Sequence, residues 1–153
     1  MTPNILNPVS AQPNRKAFQN SEHSYTVTSR DIISTLGVSE YLQMLFPFIH
    51  PSQVTSLFGF SYDFSPLYGG RQFNQKHTLT RHHLDEMKQL GISFSMNMTN
   101  HFFSEKAYQA SIPLLEKHHQ QGNLITCLND QLAARIRKDF PHYSLKASII
   151  KNL

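Results

Sequence analysis

Residues Gly91–Asn100 read Gly-Ile-Ser-Phe-Ser-Met-Asn-Met-Thr-Asn and alternate without a slip. Ile92, Phe94, Met96 and Met98 fall on one side, and Ser93, Ser95, Asn97 and Thr99 on the other. Successive strand side chains point to opposite faces, so this period of two predicts a strand. A helical pattern precedes it and another follows. That places the strand in a sheet with its apolar face under helices. The second face is polar without being charged, which suits one wall of a pocket.

The same pattern recurs along the chain. Val54–Ser61 is predicted as a strand, followed by a long aromatic loop, Tyr62-Asp-Phe-Ser-Pro-Leu-Tyr-Gly-Gly-Arg71. Thr80 can cap a helix running to Leu90, with Leu84, Met87 and Leu90 as its apolar stripe and Gly91 as its stop. After Asn100 a helical region reaches Gln121 and contains Pro113, so one kinked helix and two helices both fit. Leu124–Leu128 is a short apolar strand, and Asn129 or Asp130 caps a helix carrying Leu132, Ala133, Ile136 and Phe140. Tyr143–Ile150 is the last strand.

Upstream, Ser29–Phe46 suggests two short helices, capped by Ser29 and Ser39 and ended by Gly37 and Pro47. Residues 1–28 carry Pro3, Pro8 and Pro13 among polar residues, with no apolar period, and are expected to form a disordered, mobile arm. The domain is then 29–153, with an α/β fold of four parallel strands alternating with helices. That order fits a small open sheet or half of a (β/α)8 barrel.

Charge narrows the partners. Charged residues are 16% of the chain and the formal net charge is +4. Lys and Arg are scattered, and the densest group, Arg135, Arg137 and Lys138, reads as one solvated helix face, so nucleic acid is not supported. The single cysteine, Cys127, permits no intramolecular disulfide and no multi-cysteine zinc site. No secretory signal and no apolar run long enough for a bilayer is visible, so a cytoplasmic location without membrane contact is expected.

Three predicted strands end alike: Met98-Thr99-Asn100, Cys127-Leu128-Asn129 and Ile150-Lys151-Asn152. Asparagine caps helices and tolerates unusual backbone angles, so these residues can be capping devices alone. Alternatively, they ring the carboxyl end of the sheet, where α/β proteins bind ligands. The candidate binding rim is Asp63, Arg71, Thr99, Asn100, His101, Asn129, Asp130, Lys151 and Asn152.

The run from Gly91 through Asn129-Asp130, Ile136-Arg137, Phe140-Pro141 and Ala147-Ser148 resembles the amino-terminal half of the collagenase-like peptidase family, over about residues 80–152. That resemblance implies a TIM-type barrel of which this chain carries half. The family includes peptidases and enzymes that hydroxylate RNA bases or quinone precursors, the latter through a four-cysteine iron–sulfur cluster held by the second half. One cysteine cannot hold that cluster, so no cofactor is expected.

Nine histidines raise a metal reading, but neither His82-His83 nor His118-His119 has the i, i+4 spacing that puts two imidazoles on one helix face. Solvated histidines and no metal are the expectation. Gly-x-Ser-x-Gly, phosphate-loop and dinucleotide motifs are absent. Two functions follow. The first is a partial or degenerate barrel that binds a ligand or partner, its open sheet edges covered by its own arm and first helices or by a second copy in a homo-oligomer. The alternative is an enzyme of the resembled type, present as its amino-terminal half, with Asp63, Asn100, His101, Asp130 and Lys151 at the strand ends.

Overall fold

The computed structural model describes residues 23–68 and 78–148. Within them lie strands β1 (Tyr25–Thr28), β2 (Val54–Gly59), β3 (Ser93–Met98), β4 (Leu124–Cys127) and β5 (Ser144–Ala147). The α-helices are α1 (Val38–Leu45), α2 (Arg81–Leu90), α3 (Glu105–Lys117) and α4 (Asp130–Asp139). All five strands are parallel and stand in the order of the sequence, β1-β2-β3-β4-β5. Right-handed crossovers between neighbours taken in order put every connecting helix on one side of such a sheet.

The register sorts the strand residues into two faces. Val27, Leu57 and Phe94 share one row, Met96 and Ile125 the next, and Met98, Cys127 and Ala147 the last. All but Ala147 are buried, together with Leu115, Leu132 and Ile136 from the helices. This is the core. Each of its large side chains contributes on the order of 2 kcal/mol by leaving water. The alternation of β3 is thus realised, with Ile92, Phe94, Met96 and Met98 at 4% exposure or less.

Local signals decide several helix ends. Thr80 caps α2: its Oγ1 accepts from His83 N while His83 Nδ1 accepts from Thr80 N. Gly91 ends α2 in the left-handed region at φ 60°, where a side chain is strained. Asn129 caps α4, its Oδ1 accepting from Gln131 N and Leu132 N. Pro113 lies inside a single helix, α3. The Gln109 carbonyl that loses its donor there belongs to an exposed residue, where water replaces the bond.

Three expectations are corrected. The sheet has five strands, because Tyr25–Thr28, within the stretch read as an arm, pairs with β2. Residues 1–22 lie outside the described residues. The first of the two upstream helices does not form: 29–37 is a run of turns. Ser29 instead prolongs the β1 ladder, its N–H donating to Phe58 O at 2.9 Å, and Ile32 folds beneath it, fully buried. Finally, α1 is capped by Glu86 of α2 rather than by Ser39. The carboxylate accepts from Val38 N at 2.8 Å and Ser39 N at 3.2 Å.

Gly59 shows how closely β1 and β2 fit. A Cβ there would run into Ser29 Oγ, which donates to Phe58 O. Gly59→Ala is therefore expected to cost about 1–2 kcal/mol in urea unfolding through that displaced bond. Gly59→Ala combined with Ser29→Ala should recover most of the loss.

Candidate functional site

The carboxyl ends of β3 and β4 bring Thr99, Asn100, His101 and Asn129 together. Asn100 makes an Asx turn, its Oδ1 accepting from Phe102 N at 3.0 Å, while its Nδ2 donates to Pro66 O at 3.1 Å. Thr99 Oγ1 donates to Tyr68 O, and Asn100 N to Leu67 O. Asn129 caps α4 with its oxygen and donates to His101 O with its nitrogen at 3.1 Å. Both amides are engaged in holding the rim in shape. His101 and Asp130 are exposed beside them.

Asp63 lies elsewhere. Its Oδ2 is 2.8 Å from Lys117 Nζ, in the last turn of α3. The residue after Lys117, His118, packs on Phe94 at the start of β3, whereas Asp63 itself follows Ser61, which bridges Leu79 just before α2. Lys117 also sits 4.1 Å over the Tyr62 ring. The Lys117 ammonium, with a smaller contribution from Arg81, lowers the Tyr62 pKa, while Asp63 raises that of Lys117. The pair is partly solvated, so it adds little stability. Arg71, Lys151 and Asn152 lie outside the described residues.

What joins the rim is the second face of the sheet. Register places Thr26, Ser56 and Ser93 in one row, with Thr26 Oγ1 and Ser56 Oγ 2.7 Å apart. Thr28, Phe58, Ser95, Leu124 and Ser144 form the next row, and Asn97, Thr126 and Lys146 the one nearest the rim. Ser93, Asn97 and Thr126 are half-buried and Lys146 is exposed. Ser56 and Ser95 are buried, and the rest of the face offers hydroxyls, the Asn97 amide, two apolar patches at Phe58 and Leu124, and a single lysine among the described residues. Thr26, Ser56, Thr126 and Lys146 were not singled out from the sequence, although their place at alternate positions of flanking strands carries the signal.

Cys127 is buried on the helix-covered face, where a thiol is inert. Among the described residues His23, His50, His82, His101 and His142 are exposed, as expected, and two histidines depart from that. His83 is fully buried, its Nε2–H donating to Leu36 O at 2.7 Å, and His118 is 7% exposed. Among the described residues no group of three or more His, Cys, Asp or Glu is placed to hold a metal ion. No helix among them is long and apolar enough to cross a membrane.

Comparison with known proteins returns no matching family model, no matching curated protein and no matching solved structure.

Proposed function

We propose that the chain is a partial barrel that binds a partner and carries no complete catalytic set. One observation carries this reading. Five parallel strands in sequential order keep their helices on one side and leave a Ser/Thr/Asn face on the other. A full (β/α)8 barrel shares that order and turns its second face inward. The likeness of residues 80–152 to half of a collagenase-like peptidase barrel points the same way. The Asn100–Asn129 rim and the polar face then form one wall of a site, and a second copy of the chain supplies the other.

The outer edge of β5 supports a second copy as the occupant. Ser144 N donates to Asn123 O and Ser148 N to Cys127 O, so by the period of two the N–H groups of Leu145 and Ala147 point away from β4. An edge of that kind templates another strand. Light scattering on the full chain tests the reading. The expected mass is about twice the 17.6 kDa of one chain, and Thr126→Arg, a bulky cation on the polar face, is expected to return it to one. A single-chain mass before the substitution contradicts the proposal.

A further inference from the structure

At the opposite, amino end of the sheet, three histidines join the connections that lead into β4 and β5. His118 follows α3, packs edge-on against Phe94 at 5.3 Å, and its buried Nε2 has no hydrogen-bond partner among the described residues. His119 Nε2 accepts from the backbone N–H of His142 at 3.0 Å, and the two rings stack at 4.9 Å and 27°. Phe140 and Tyr143 flank His119 at 5.3 Å each. Asn123, 2% exposed, ties the same corner to β3.

We propose that His118, His119 and His142 form an acid-sensitive latch that holds the amino ends of β3, β4 and β5 together and loosens on mild acidification. The contacts require neutral His118 and His119 rings. A proton on His119 Nε2 would turn the acceptor into a donor facing the donor N–H of His142, and would set a cation against the His142 ring. A proton on His118 would place a charge in a largely buried site against the edge of Phe94, beside a small cavity that Leu84, Met87 and Ile92 line together with Gln120 and Asn123.

The neighbouring charges do not reverse this. Lys117, on the same helix, opposes protonation of His118. Asp63, from the connection after β2, favours it but is paired with Lys117. Lys88 of α2 lines the same small cavity from an exposed position. Burial, ahead of Lys117, lowers His118 from 6.5 to about 4, and burial, ahead of His142, lowers His119. The opened form therefore binds more protons than the closed one below about pH 6.5. Opening grows easier as pH falls through that value, and for His118 continues to do so down to about 4.

Hydrogen exchange by NMR on the full chain, corrected for intrinsic exchange, tests the latch. The amides of Phe94, His142 and Ser144 report it, since they donate to Asn123 Oδ1, His119 Nε2 and Asn123 O. Release of His118 alone should raise their opening equilibrium about twentyfold between pH 7 and pH 5. The β2 amide of Leu57 should show no comparable rise. In His118→Phe/His119→Gln, where the new amide oxygen can still accept, the pH factor should vanish. A factor that persists there, or none in the unaltered chain, overturns the proposal. Should the variant not fold, the imidazole shifts of the unaltered chain decide: His118 titrating near 6.5 overturns it, and titration well below upholds it.

Discussion

Asn123→Ala is expected to destabilise the chain by about 4 kcal/mol in urea unfolding, more than Asn100→Ala or Asn129→Ala. The side chain is 2% exposed and serves two elements at once. Its Oδ1 accepts from Phe94 N and its Nδ2 donates to His118 O, both at 2.9 Å. Truncation leaves one buried donor and one buried acceptor without partners, each costing roughly 1–3 kcal/mol. Asn100→Ala, by contrast, frees Phe102 N at an exposed residue and Pro66 O at a half-buried one, where water can reach, and should cost about 1 kcal/mol. Equal losses at the two sites would show that Asn123 does not bind the amino end of the sheet as described.

Glu86→Ala is expected to release α1. That helix has eight residues, too few to stand alone, and its N-cap is Gly37, which has no side chain to offer. The two charge-assisted bonds from Glu86 replace the missing cap, and a carboxylate also suits the positive end of the helix. The expected loss is about 2–3 kcal/mol, with faster hydrogen exchange at Phe46, whose N–H donates to Leu42 O at the far end of α1. Glu86→Gln retains one acceptor oxygen and should lose about half as much. Unchanged exchange in α1 after Glu86→Ala would mean that packing of Val38, Tyr41 and Leu42 holds the helix without its cap.

Where the sequence was legible, the signal was local. Thr80 and Gly91 bracket α2 because capping depends on residues within one turn, and the β3 alternation needs only neighbours in the chain. Misreadings arose where a distant group competes. Ile32, Ile33 and Leu36 carry a helical spacing, but Ser29 is taken by Phe58 O and Leu36 O by His83, forty-seven residues away. β1 is only four residues long, and its pairing with β2 is invisible to periodicity. The candidate rim divided on the same principle. Asn100 and Asn129 sit where strand ends put them, whereas the Asp63 carboxylate is taken by Lys117, fifty-four residues away. His83 reads as polar from its type, yet its partners at both ring nitrogens let it be fully buried.

The most direct test of a partial barrel completed by a second copy is hydrogen exchange along β5 as a function of protein concentration. The inward N–H groups of Ser144 and Ser148 donate to β4-side carbonyls and should be protected at every concentration. The outward N–H groups of Leu145 and Ala147 should be protected only where light scattering shows the associated form, and should lose that protection on dilution. Exchange of Leu145 and Ala147 at the rate of unstructured chain, at all concentrations and with the mass of one chain throughout, would contradict the account.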